Sequence, residues 1–307
     1  MRLSMGSVGF VKKEAAKSLA PGNKQAVVIA VAAQKGGVGK TTTTVTLGAA
    51  LARYFEMEVL LVDLDAQAHV NLALRSIVHA GGDSLAELLE EPTTREVAEI
   101  AVGTKVPGLE ITPGCPELAR AENRLSTRIG KELVLRELLS VSRTHYDIIL
   151  LDCPPNLGNL TINGLVAADC VLVPCNPAML AVSGVEGLLG AVAEVRAALN
   201  PSLEVLGLVL TRVDQRSGAT NQMITQLLIE NWEDLLAPVQ ISADAALAKA
   251  QIEGTDVYAF DAHSRAAGQY VELAEWTIAR LAAMGLRREG AATETGDQAP
   301  GVVASEG

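Results

Sequence analysis

Between residues 25 and 286 the chain alternates short, wholly apolar runs with longer stretches of helical period. Residues 26–33 (AVVIAVAA) form one such run, which breaks at a Gly-rich turn. Lys40–Phe55 follows with a helical pattern, and Val59–Asp63 is a second apolar run. Further runs at Leu109–Ile111, 147–151, 170–173 and 205–210 predict strands. Residues 129–142 predict a helix, as does the Ala-rich stretch 182–199, which Asn200-Pro201 closes. Ser84-Leu-Ala-Glu87 has the spacing of a capping box opening a short helix. Helical patterns dominate after residue 210. Runs that are apolar throughout, instead of alternating, belong to strands covered on both faces. The pattern therefore predicts an α/β fold, a mostly parallel sheet with helices on both faces. With no repeat and no linker in view, residues 25–286 read as one domain.

Charge and composition narrow the picture. The chain has 307 residues, with 25 Lys and Arg against 36 Asp and Glu, a formal net charge of −11. That argues against coating nucleic acid through bulk charge alone and leaves only a local basic patch for such a role. Residues 26–33 are the longest apolar run, too short to span a bilayer. No long apolar core of a secretory signal stands at the N-terminus, so a cytoplasmic location is expected. Residues 1–24 carry Arg2, Lys12, Lys13, Lys17 and Lys24 against Glu14 and read as a flexible basic leader. Residues 287–307 are small and polar with Pro and Gly and read as a disordered tail. Cys115, Cys153, Cys170 and Cys175 contain no CxxC pair. Cys170 and Cys175, five apart in a strand, point to opposite faces, so the four read as small buried hydrophobes in a reducing compartment.

The chemistry concentrates after the first strand. Residues 34–44 read QKGGVGKTTTT and join a buried strand to a helix. In that setting glycines let backbone N–H groups approach phosphate, and the helix N-terminus favours negative charge. Lys40 can reach the β- and γ-phosphates and the Thr41 hydroxyl can ligate Mg²⁺. Helix propensity alone does not explain four consecutive β-branched threonines. The generic loop has Gly where this chain has Gln34, and here Lys35 directly precedes Gly36-Gly37. Asp63 and Asp65 close one strand and Asp152 another. Ligands of open α/β sheets bind at the carboxyl ends of strands, so three acids converge where Mg²⁺ must be held and water oriented.

At this point the sequence resembles the ParA/MinD group of deviant-Walker P-loop ATPases. The residues that carry the resemblance are KGGVGKTTTT at 35–44, LLVDLDAQAHVN at 60–71, YDIILLDCPP at 146–155 and LTRVDQR at 210–216. Weaker matches are PGCPELARAENRL at 113–125 and HSRAAGQYVELA at 263–274. The resemblance implies ATP and Mg²⁺ as cofactors and a homodimer in the ATP state. Lys35 would be the lysine that crosses to the partner's phosphates. Gly36, Gly37, Val38, Gly39, Lys40, Thr41 and Thr42 would bind phosphates in cis, with Thr41 on Mg²⁺. Asp65 would position the attacking water. Asp63 and Asp152 would belong to the Mg²⁺ shell, and Thr211 and Arg212 would pack the adenine. Slow hydrolysis would act as a timer that a partner triggers.

Two functions fit the resemblance. VDLDAQAHVN is closer to the ParA form VDLDPQGNAT, with Ala66 where Pro is usual. ParA-like proteins bind non-specific DNA and move a plasmid or chromosome marked by a ParB-like activator, which implies nucleoid association. Arg216, Lys249 and Arg265 are the candidate DNA contacts, although the segment after Ile241 lacks the usual bases. The stretch before the loop is too short for a helix-turn-helix domain. The alternative is a MinD-like or orphan ParA-like ATPase that positions a protein complex without DNA. The tail has almost no bulky apolar residue, so no direct membrane anchor is expected. Cluster-bridging cysteines and a tyrosine-rich tail, marks of other enzymes on this fold, are absent from the sequence, and no second pocket for a metabolic ligase is legible.

Overall fold

The computed structural model describes residues 25–79, 83–90, 95–178, 181–214 and 219–286. The leader 1–24, the tail 287–307 and Arg216 lie outside the described residues. In chain order the first half runs β1 (Val27–Val31), α1 (Lys40–Phe55), β2 (Val59–Asp63), α2 (His69–Leu74), α3 (Leu85–Glu90), α4 (Val97–Ile100), β3 (Val102–Gly103), β4 (Leu109–Ile111), α5 (Leu118–Leu125), α6 (Val134–Leu138) and β5 (Ile148–Asp152). The second half runs α7 (Asn159–Ala167), β6 (Cys170–Cys175), α8 (Ala181–Ala198), β7 (Glu204–Val213), α9 (Ala219–Trp232), β8 (Leu236–Ser242), α10 (Ala245–Glu253), α11 (Val257–Asp261) and α12 (Arg265–Ala283).

The strands form one sheet in the order β3-β4-β2-β5-β1-β6-β7-β8. Every pairing is parallel except that of β3 with β4. Every residue of β1, β2, β5 and β6 is buried, as runs without polar alternation require. Successive side chains feed opposite layers. Val28 and Ala30 join the layer of α3, α5, α6, α7 and α8, whereas Val27 and Ile29 join that of α1, α2, α10, α11 and α12. Cys170 and Cys175 fall in opposite layers, as their spacing demands. The sheet is blunt at both edges. β3 has two residues, and β8 carries an exposed proline, Pro238, that cannot donate to another strand.

β1 sits between β5 and β6, and the connection leaving β1 runs one way, to β2, while that leaving β5 runs the other, to β6. This opens the crevice in which α/β sheets bind ligands. Two predicted elements come out differently. Residues 129–142 hold only the short helix α6, preceded by a 3₁₀ turn at Lys131–Leu133 and followed by another at Ser142–Thr144. The Asn163 side chain of α7 explains part of this, because its Oδ1 accepts the Leu135 N–H and its Nδ2 donates to the Lys131 carbonyl. Strand β7 runs three residues past its predicted end, to Val213, for a reason that lies in the site.

Candidate active site

The loop after β1 ends at Gly39, whose φ of 88° turns the chain into α1. No side chain caps α1, and its first turn contains no acid. Its first N–H groups therefore face the crevice with neither a side-chain acceptor nor a repelling carboxylate, the condition for holding an anion. Gln34 and Lys35 are exposed. The Gln34 side chain lies over Gly187 of α8, so close that a Cβ there would meet its Oε1 at 2.2 Å. Lys40 is buried beneath the loop, and its Nζ donates to the Lys35 carbonyl at 3.4 Å. Burial pushes this ammonium below its ordinary pKa, while Asp152 and Asp65 pull it back.

Each of the four threonine hydroxyls makes a hydrogen bond, two of them to Asp152. Thr41 Oγ1 donates to Asp152 Oδ2 at 2.7 Å. Gln251 Nε2 of α10 donates to Thr42 Oγ1 at 2.9 Å. The Thr43 and Tyr270 hydroxyls, the latter from α12, share a hydrogen bond of 3.0 Å. Thr44 Oγ1 lies 3.2 Å from Asp152 Oδ1 and 3.1 Å from the Lys40 carbonyl. These bonds account for the run that helix propensity left unexplained. Gln251 and Tyr270 were not singled out from the sequence, because their distance along the chain hides the contact.

The three acids differ. Asp152 is buried, accepts from two hydroxyls, and is pushed up by burial against the pull of Thr41 and Lys40. Asp63 is also buried and pushed well up, first by burial and then by Asp152. Its Oδ1 accepts the Asp65 N–H at 3.0 Å and its Oδ2 the Val70 N–H at 3.1 Å. Asp63 is thereby engaged with the loop after β2, and its hydrogen bonds do not run to Thr41. Asp65 is half-buried, accepts from Gln67 N–H at 2.9 Å, and lines the same cavity as Lys40 and Thr41.

That cavity measures about 660 Å³, within the range of roughly 300–1,000 Å³ usual for small-molecule sites. Thr211 and Arg212 line its far side and also grip the loop. Thr211 Oγ1 donates to the Val38 carbonyl at 2.6 Å and Arg212 Nη1 to the Gly37 carbonyl at 2.9 Å. Arg212 adopts φ 54°, a conformation uncommon outside glycine. The extension of β7 serves this grip. Of the candidate nucleic-acid contacts, Lys249 and Arg265 are exposed, on α10 and at the start of α12. Glu122 was missed as a positioning group. Its Oε1 accepts the Leu160 N–H at 3.3 Å, where α7 has only Gly158 as its cap.

Mg²⁺ prefers hard oxygen ligands and keeps much of its coordination for phosphate and water. Thr41 Oγ1 and Asp152 supply two such oxygens within hydrogen-bond distance of each other. A buried carboxylate held above its ordinary pKa is one that a cation would stabilise, so the residues present fit the ion.

A buried strand, an uncapped helix behind a glycine loop, a buried lysine and acids at two strand ends define a P-loop nucleotide-binding domain. A family model described as an AAA domain matches residues 26–205. Soj of Bacillus subtilis, a sporulation initiation inhibitor protein, is 36% identical over 248 residues, 81% of this chain and 96% of Soj. The chromosome partitioning protein ParA of Caulobacter vibrioides is 35% identical over 257 residues, 82% of this chain and 94% of ParA. Among solved structures, cobyrinic acid a,c-diamide synthase from Mycobacterium smegmatis, with bound ATP analogue and magnesium, superposes at TM-score 0.70. It is 33% identical, over 85% of this chain and 97% of that one. The chain belongs to the Soj/ParA family of P-loop ATPases. Among the described residues no helix is long and apolar enough to cross a membrane.

Proposed function

We propose that this chain binds ATP with Mg²⁺, dimerises in that state, and partitions or positions DNA through non-specific DNA binding that ends with slow, partner-triggered hydrolysis. The observation that carries the reading is the convergence of Lys40, Thr41 and Asp65 on one cavity, with Asp152 buried behind Thr41 and bonded to it. Thr41 and Asp152 would hold Mg²⁺, which supplies charge neutralisation to the phosphate oxygens. Lys40 leaves the Lys35 carbonyl for phosphate, exchanging a long hydrogen bond for a charge-assisted one. Asp65 orients a water molecule from a loop that Asp63 holds from below. Lys35, which is exposed, would reach a second copy's nucleotide, as in a trans-acting arginine finger. Membership in the Soj/ParA family supports a ParB-like activator as the trigger.

A second reading, positioning of a protein complex without DNA, draws on the net charge of −11. Amide synthesis, the activity in the name of the Mycobacterium smegmatis neighbour, finds less support. A synthase fed by glutamine through its own thiolate would need a reactive cysteine. All four cysteines are buried, and burial pushes the Cys153, Cys170 and Cys175 thiols up.

The deciding experiment is retention of the Asp65→Ala protein on random duplex DNA with ATP and with ADP, at low and physiological salt. Retention with ATP alone that weakens with salt is expected. An ATP dimer that is not retained would favour the protein-complex reading. Lys40→Ala is expected to bind neither nucleotide, and unchanged ATP affinity would sink the loop assignment.

A further inference from the structure

Helix α10 runs along the cavity and turns one face into it, with Ala245, Ala248 and Gln251 lining it. Gln251 reaches across to Thr42. The C-terminal end of α10 is held from outside. A helix leaves its last carbonyls without intrahelical donors. Here Arg75 Nη1 donates to the Gln251 carbonyl at 3.0 Å and Arg75 Nη2 to the Ile252 carbonyl. Ser76 Oγ donates to the Glu253 carbonyl at 2.6 Å, and the Ser76 N–H to the Gly254 carbonyl at 2.9 Å. Two consecutive residues thus donate to four consecutive carbonyls, of which that of Gln251 also accepts the Gly254 N–H, and the guanidinium stands at the negative pole of the helix. The fit is close, because a Cβ on Gly254 would lie 2.5 Å from Arg75 Cγ. Arg75 caps the C-terminus of α2 and Ser76 follows it, and the start of that helix is tied to Asp63 through Val70. A continuous line of contacts therefore runs from Asp63 through α2, the Arg75–Ser76 clamp and α10 to Thr42 on α1.

We infer that the Arg75–Ser76 clamp sets how long a nucleotide stays bound: α10 is the wall that must move for exchange, and the clamp latches it to the Asp65 side of the site. This rests on the reading of the cavity as a nucleotide site. Arg75 also lines the cavity, whereas Ser76 and Gly254 do not, so Ser76 is a positioning residue and the variants at Ser76 and Gly254 separate the clamp from direct contact with the nucleotide. Arg75 and Ser76 are both exposed, so truncating them leaves no cavity in the core.

The test is stopped-flow release of mant-ADP from the full chain with Mg²⁺, chased by excess ADP. Arg75→Ala is expected to release it about tenfold faster, the effect of losing one strong charge-assisted interaction. Ser76→Ala should give a smaller acceleration, and Arg75→Lys should recover part of the wild-type rate. Gly254→Ala, which pries the same contact from the other side and also strains the backbone at φ 75°, should accelerate release as well, at some cost in thermal midpoint. The amplitude per mole of protein should not change. A merely structural role would lower the amplitude and the thermal midpoint and leave the rate of the bound fraction at the wild-type value, which would overturn the clamp. A wild-type chain that binds no mant-ADP would remove the nucleotide reading and the clamp together. Binding with wild-type release in all four variants would remove the clamp alone.

Discussion

Asp63 and Asp152 stand opposite each other in the register of β2 and β5, both buried and both pushed up by burial. Their donors differ. Asp152 is met by hydroxyls of α1, groups that can turn away when a cation or phosphate arrives. Asp63 is met by backbone N–H groups that have no other acceptor and cannot turn. Asp152 is bonded to side chains alone, and Asp63 fixes the loop that carries Asp65. Equal burial at equal height in a sheet does not make equal roles. The nature of the donor separates them.

Substitutions can break that contrast, and the largest effect is expected at Asp152. Asp152→Asn should lower Mg²⁺-dependent turnover about 10–100-fold, the usual cost of losing a group around a metal, with the circular dichroism spectrum unchanged. Turnover within a factor of two of wild type would return Asp152 to a structural role. Asp63→Ala should instead act on stability, orphaning one buried and one half-buried N–H group at about 1–3 kcal/mol in a denaturant titration. Faster amide exchange at Asp65 and Val70 should accompany it, and unchanged exchange there would disprove the anchoring. Thr44→Val removes the weaker hydroxyl from Asp152 and should cost about 0.5–1.5 kcal/mol while leaving Mg²⁺ affinity intact. The smallest effect concerns Ala68, which caps α2 at φ 51° on the loop that Asp63 holds. Ala68→Gly should relieve strain and raise stability by less than about 1 kcal/mol; a loss would mean that the backbone there is unstrained.

Much of this was legible along the chain because it is local. β1 followed by QKGGVGK is one continuous segment, and an apolar run that stops at an acid marks a strand tip whatever lies beside it. Contacts made across long separations were hidden. Thr42 meets Gln251 and Arg75 meets Ile252 only because β8 leads α10 back over α1, and no period or spacing records that crossing. Helical period misled at residues 129–142, where Ile129 is almost fully exposed and Asn163 claims the backbone of its neighbours. The two-residue strand β3 was missed because so short a run has no period.

The blunt edges of the sheet limit how copies of this chain can meet. A sheet with an open edge can add the strand of another molecule, and such growth has no natural stopping point. Pro238 denies a donor at one border and β3 is too short to template a ladder at the other. Assembly is thereby left to side-chain surfaces, which exchange readily, so a finite and reversible complex is favoured over a filament built by main-chain pairing.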